Sequence, residues 1–283
     1  MSRRIRVNGV QLGVELRGEL VPGQQTLVLL HGFTGSAASW GEHLDILAAD
    51  GMRVIALDML GHGQSDTPGN PQRYSMEHCQ ADIPAALREL GVRQGEAILL
   101  GYSMGGRIAL YTAFSSFFRA LILESASPGL ATASEREERQ RNDEALAELI
   151  ERDGVAAFVE QWERLPLFAS QQSLPIKLRQ ALHEQRLNNR ASGLAQSLRG
   201  LGTGVQPALH DRLSALTLPV LLITGELDQK FCGIARHMAQ VLPQAQLQIV
   251  ANAGHTVHLE QPRVFERIVR DFCASLLSDA KSV

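Results

Sequence analysis

A short apolar run, recurring six times, constrains most tightly what this 283-residue chain can fold into. The runs are Thr26 to Leu30, Arg53 to Leu57, Ala97 to Leu100, Ala120 to Leu123, Pro219 to Ile223 and Ala245 to Val250. Runs so short and continuous are expected to be strands covered on both faces, because a half-exposed strand would alternate apolar and polar residues. Stretches of helical character lie between them: Ala38 to Asp50, Ser75 to Leu90, where Pro84 could interrupt the helix, Gly105 to Phe114, Cys232 to Leu242 and Pro262 to Leu277. Strand and helix alternating in this way predict an α/β chain with a mostly parallel central sheet flanked by helices.

Two regions depart from the alternation. Residues 5–17 mix apolar and polar positions at period two around Asn8-Gly9, a dipeptide suited to the positive φ angles of a tight turn, and predict an amino-terminal hairpin. Between about 128 and 212 no strand is legible. Helices are expected there at 134–152, 154–163, 175–188 and 191–201, separated near Pro166, Pro175 and the 200–204 glycines. The expected organisation is therefore a core of 1–127 and 213–283, with a helical cap of 128–212 inserted after the sixth strand. Such an insertion packs most naturally over the carboxyl edge of the sheet, where open α/β folds bind ligands. The tail from Ser278 is expected to fray.

Composition narrows the functional classes. With 27 basic against 30 acidic residues the net charge is -3, which argues against a broadly basic nucleic-acid binder. No apolar run approaches the ~20 residues needed to span a bilayer, so no membrane partner is expected. Three cysteines without CxxC spacing, and a start that meets polar and Gly residues before any signal-like apolar stretch, give a cytoplasmic expectation. The nine histidines form no HxxxH or HExxH group, so no metal site is expected.

Gly101-Tyr102-Ser103-Met104-Gly105 directly follows one predicted strand and directly precedes a predicted helix. The glycines permit a tight turn that lifts the Ser103 hydroxyl above the sheet edge, near the positive end of the helix. A serine hydroxyl is a weak nucleophile and base unless an imidazole takes its proton and a carboxylate fixes that imidazole. Asp228, just past the strand at 219–223, and His255, just past the strand ending at Val250, supply both in the order this arrangement requires. Glu226 in the same loop and His258 nearby are the competing partners. Cys232 reads as a buried thiol.

His31-Gly32-Phe33-Thr34-Gly35 follows the first parallel strand, and the N–H groups of Phe33 and Met104 together would form a two-donor oxyanion hole. His31, Asp58 and His62 read as residues that hold loops. Arg107 lies about one helical turn beyond Ser103, where a cation works against the helix dipole, and from the residue pattern alone it either binds a ligand carboxylate or pairs with an acid of a neighbouring helix.

These motifs, from His31-Gly32 through Gly61-His62-Gly63-Gln64-Ser65 and the serine turn to Gly225-Glu226-Leu227-Asp228 and Gly254-His255, together resemble the α/β-hydrolase superfamily over nearly the whole chain. More locally, Gly101 to Arg107, Trp162 to Phe168, Arg186 to Asn189 and Leu201 to Pro207 resemble the 2-succinyl-6-hydroxy-2,4-cyclohexadiene-1-carboxylate (SHCHC) synthases, the MenH enzymes of menaquinone biosynthesis. The resemblance implies a cofactor-free lyase that eliminates pyruvate from 2-succinyl-5-enolpyruvyl-6-hydroxy-3-cyclohexene-1-carboxylate. It implies Ser103, Asp228 and His255 as the triad, with Arg107, Arg186 and Arg139 gripping the carboxylates of a small, multiply carboxylated substrate. Tyr102 and Trp162 would line the same pocket. Arg136 and Arg141 are alternatives to Arg139 as the inward-facing arginine of the first cap helix. The alternative reading is a serine hydrolase acting on a carboxylester or carbon–carbon bond, because the same triad serves both chemistries. The protein is expected as a monomer or small homo-oligomer.

Overall fold

A computed structural model of the chain describes residues 1–21, 24–49 and 51–279. Its sheet contains β1 (Ser2–Val7), β2 (Val10–Arg17), β3 (Thr26–Leu30), β4 (Arg53–Leu57), β5 (Ala97–Tyr102), β6 (Phe118–Glu124), β7 (Val220–Gly225) and β8 (Ala245–Val250). The order across the sheet is β1-β2-β4-β3-β5-β6-β7-β8. β1 and β2 pair antiparallel through the turn at Asn8-Gly9, whose φ angles are 46° and 84°, and β2 pairs antiparallel with β4. From β4 to β8 every pairing is parallel. The chain leaves β3 toward β4 on one side and returns to β5 on the other, so the strand order reverses at β3 and opens a crevice at the carboxyl ends of β3 and β5.

Alternate side chains on these strands enter two cores. Val28, Leu30, Ile55, Leu57, Leu99 and Leu121 meet α2 (Met76–Glu89), α3 (Met104–Ala113) and α7 (Gln229–Val241) through Ile83, Ile108, Leu110 and Met238. Leu27, Leu29, Val54, Ile98, Leu100 and Ile122 meet α1 (His43–Ala48) and α9 (Pro262–Asp279) through Leu47, Phe265, Val269 and Phe272. Burial on both faces is why these strands read as unbroken apolar runs. β8 differs from that expectation. It lies at the sheet edge, with Gln246, Gln248 and Ile249 exposed, which matches the polar residues interleaved in its sequence. The helix expected over 38–50 is a single 3₁₀ turn, Ala37–Trp40, followed by α1; Gly41, at φ 49°, separates them, and Asp50 lies outside the described residues.

Between β6 and β7 the chain is helical. α4 (Ala133–Trp162) opens with a capping box in which Thr132 and Glu135 satisfy each other's backbone N–H, and it breaks at Gly154, where φ is 87°. A 3₁₀ segment over Pro166–Ser173 follows, in a stretch whose sequence suggested only a separator. α5 (Ile176–Leu187) and α6 (Ala191–Leu201) complete the insertion. Ala147, Ile150, Phe158 and Val159 of α4 share a small core with Leu194, Ala195 and Leu198 of α6. α6 sits on the core backbone to backbone: a Cβ on Gly193 would lie 2.1 Å from the Gly61 carbonyl oxygen. The segment carrying α5 is held by polar contacts, with Asn189 Nδ2 donating to the Thr34 carbonyl at 2.8 Å and Arg190 Nη2 to that of Ser65 at 2.6 Å, and by the buried Phe168 ring against Trp162 and His255. α8 (Val257–Glu260) lies between β8 and α9. No helix among the described residues is long and apolar enough to cross a membrane. The tail over 280–283 lies outside the described residues.

Candidate active site

The turn between β5 and α3 is as tight as backbone allows. A Cβ on Gly101 would stand 2.2 Å from the Gly105 carbonyl oxygen, and one on Gly105 would stand 2.2 Å from that of Leu30, so neither position admits a side chain. At the apex Ser103 takes φ 51° and ψ -107°, a conformation costly for a residue with a Cβ. Its N–H donates to the Glu124 carbonyl at 2.9 Å and its carbonyl accepts from Arg107 N–H at 3.0 Å. The Ser103 hydroxyl makes no helix-capping bond and is left for other work.

That hydroxyl lies 3.0 Å from His255 Nε2, and His255 Nδ1 lies 2.7 Å from Asp228 Oδ2. An ionised carboxylate only accepts, so Asp228 holds the proton on Nδ1 and leaves Nε2 as the acceptor for Ser103. The second Asp228 oxygen accepts Phe231 N–H at 3.2 Å and caps α7, which fixes the carboxylate in turn. His255 is 1 % exposed and walled by the rings of Phe231, Tyr102 and Phe168. The competing residues lie elsewhere: Glu226 turns toward Asn252 N–H at 3.5 Å, and His258 is buried against Glu124, its Nδ1 2.9 Å from each carboxylate oxygen.

Ser103 opens onto a cavity of about 740 Å³ between the sheet edge and the inserted helices. Phe33, Tyr102, Met104, Arg107, Arg139, Trp162, Arg186, Asp228 and His255 all border it. Arg186 is buried, donates to Glu163 at 2.8 Å and to Gln171 at 3.0 Å, and lies over the Phe168 ring at 5.4 Å. Arg139 donates to Asp143 at 2.8 Å. Arg136 is committed to the Leu130 and Ala131 carbonyls at 3.0 Å each, and Arg141 is exposed. Arg107 donates to two neutral acceptors, the Leu201 carbonyl at 3.1 Å and Gln206 Oε1 at 2.8 Å. Burial and then the like charge of Arg139 lower its pKa to about 10. A largely buried guanidinium bonded to neutral groups is poised for an anion.

The alpha/beta hydrolase fold family matches residues 25–262. A candidate SHCHC synthase of Bacillus subtilis (strain 168) is 47% identical over 254 residues, covering 89% of this chain and 91% of that protein. The SHCHC synthase of Serratia proteamaculans (strain 568) is 34% identical over 249 residues, covering 87% of this chain and 92% of that one. Among solved structures, MenH from S. aureus superposes with a TM-score of 0.88 at 33% identity, covering 93% of this chain and 98% of that chain. The chain belongs to the SHCHC synthase family of α/β hydrolases.

In this SHCHC synthase family member the loop after β3 is fastened beneath the cavity. His31 Nε2 accepts the Met59 N–H at 3.0 Å, so its proton resides on Nδ1 and is donated to the Gly32 carbonyl at 2.8 Å. Burial lowers the His31 pKa and keeps the ring neutral, as this double duty requires. Asp58 accepts from Ala37 N–H at 2.6 Å and Gln64 N–H at 2.7 Å, binding the loops after β3 and β4. Met104 is the first residue of α3, so its N–H is one of the helix's unpaired amino-terminal donors, beside Ser103. Sequence reasoning missed three polar groups around this site: Glu124, Gln171 and Glu260. Glu124 ends an apolar strand, and Gln171 stands in a stretch without periodicity. Glu260 accepts from Gly254 N–H at 2.7 Å and Thr256 N–H at 3.2 Å, on either side of His255.

Proposed function

We propose that the protein is an SHCHC synthase, a carbon–oxygen lyase that eliminates pyruvate from 2-succinyl-5-enolpyruvyl-6-hydroxy-3-cyclohexene-1-carboxylate. The observation that carries this reading is the convergence of three arginines on the cavity that also receives the Ser103 hydroxyl. A substrate bearing several carboxylates enters a low-dielectric pocket only if its charges are met, and Arg107, Arg139 and Arg186 meet them with charge-assisted hydrogen bonds. Sequence identity of 47% to the Bacillus subtilis relative supports the same reading.

Ser103, its proton drawn to His255 Nε2, abstracts the ring proton beside the succinyl ketone. The electrons move through the ring double bond and expel enolpyruvate from carbon 5, and the proton taken up by the triad is available to the leaving group. Enolpyruvate then tautomerises to pyruvate. Developing charge on the ketone oxygen falls to the Phe33 and Met104 N–H groups. Ser103 acts as a base relay in this scheme, and no acyl-enzyme forms.

Pyruvate release coupled to lactate dehydrogenase tests the proposal directly. The lyase produces pyruvate and shows no burst with p-nitrophenyl esters. Ester turnover with burst-phase acyl-enzyme and no pyruvate release would assign the triad to the hydrolase alternative instead.

A further inference from the structure

Arg186 begins a chain of hydrogen bonds that runs along the cavity wall. Its Nη2 donates to Gln171 Oε1 at 3.0 Å, Gln171 Nε2 donates to Thr256 Oγ1 at 2.9 Å, and Thr256 Oγ1 lies 2.8 Å from the Tyr102 hydroxyl. The direction of the chain's first two bonds is fixed by chemistry. A guanidinium only donates, so the Gln171 oxygen must face Arg186 and its NH₂ must face Thr256, which therefore accepts. The Thr256 hydroxyl is then shared between Gln171 and the Tyr102 hydroxyl. Gln171 is 7% exposed and Thr256 2%, so water competes little for either bond. Thr256 directly follows His255 in the chain. Tyr102 directly precedes Ser103, and its ring centroid lies 5.6 Å from that of His255. The chain thus joins a cavity arginine of the inserted helices to the neighbours of both Ser103 and His255.

We propose that Gln171 is a positioning residue that transmits the placement of Arg186 to His255 through Thr256. Gln171 directs its side-chain hydrogen bonds to Arg186 and Thr256, not to Ser103 or His255. It fixes the Thr256 side chain from the cavity side while Glu260 fixes the Thr256 N–H from the other. Its kinetic consequence rests on the lyase reading given above, but its effect on the Ser103–His255 pair does not.

The test uses Gln171→Met, Thr256→Val, the double variant and Thr256→Ser, each with two readouts. One is kcat and KM for pyruvate release. The other is the rate at which a small neutral fluorophosphonate modifies Ser103, which needs His255 in place and no carboxylate recognition. Gln171→Met and Thr256→Val are each expected to lower kcat and the modification rate about tenfold, with the double variant no slower than the slower single variant within about twofold. Thr256→Ser keeps the hydroxyl and is expected to stay within about twofold of wild type in both. A merely structural role would lower the melting temperature of the single variants while leaving both rates within about twofold, and that result would overturn the proposal. Multiplying losses in the double variant, to about a hundredfold, would overturn it equally. Wild-type protein that releases no pyruvate would refute the lyase reading, while the modification rates would still decide the role of Gln171.

Discussion

Replacing Arg107 with Met should separate substrate binding from stability, because the two respond differently to the same buried charge. In the free protein the Arg107 pKa is lowered from 12.5 to about 10, chiefly by burial and next by Arg139. The cationic form is therefore disfavoured by up to roughly 3 kcal/mol relative to the unfolded chain at neutral pH. Met retains much of the side-chain volume and removes that cost, while leaving the Leu201 carbonyl and Gln206 Oε1 short of a donor at about 1–3 kcal/mol. The terms nearly offset, and the melting temperature should move by no more than about 6 °C in either direction. Binding has no such compensation. Loss of a charge-assisted, partly bidentate contact to a carboxylate costs about 3–4 kcal/mol, a fall of roughly 10²–10³ in kcat/KM. Coupled pyruvate release at substrate concentrations below KM, beside a thermal melt of the same preparation, measures both. A kcat/KM within about threefold of wild type, together with a melting temperature more than about 10 °C lower, would show Arg107 to be a brace for Leu201 and Gln206 and would refute the reasoning.

Ser103→Ala should reduce pyruvate release by at least about 10³-fold and leave the far-ultraviolet circular dichroism unchanged; retention of more than a tenth of the rate would remove Ser103 from the chemistry. Gly193→Ala places a methyl against the Gly61 carbonyl and should destabilise the protein by about 1–3 kcal/mol in urea titration, whereas an unchanged midpoint would mean that α6 does not rest on the core there. Burial lowers the His62 pKa to about 3, so an unfolded chain, titrating near 6.5, takes up a proton that the folded one refuses. The stability contributed by neutral His62 is accordingly present above about pH 6.5 and declines as pH falls toward 3, at about 1.4 kcal/mol per pH unit. His62→Leu should flatten the pH dependence of the urea midpoint between pH 6 and 4 by about that slope, and parallel curves for the two proteins would contradict it.

What could be read from the sequence is what a local pattern encodes. Continuous apolar runs located β3 to β7 because those strands are buried on both faces, and the glycines around Ser103 marked the turn because backbone atoms there leave no space for a Cβ. β8 was placed correctly as a strand but not as an edge, although Gln246 and Gln248 already carried the alternation of a half-exposed one. Roles set by partners far along the chain were not legible. Glu124 is fully buried because His258, 134 residues away, donates to it twice. Gln171 owes its orientation to Arg186 on one side and Thr256 on the other, and nothing in the sequence around it announces either. The assignment of Arg139 rather than Arg136 or Arg141 to the cavity likewise required the positions of Asp143 and of the Leu130 and Ala131 carbonyls.

The bare-backbone seam between Gly193 and Gly61 has a mechanical consequence. With backbone against backbone at that point there is little for rotamers to adjust, so α6, and α4 through the core it shares with α6, seat closely on the body of the protein and carry Arg139. Arg186 stands on the span from 163 to 190, which meets the body of the protein through the Asn189 and Arg190 side chains, the buried Gln171–Thr256 bond and the Phe168 ring against His255. A ligand in the cavity meets Arg139 on those closely seated helices and Arg186 on the neighbouring span, so its two grips are mounted on differently fastened parts of the cap.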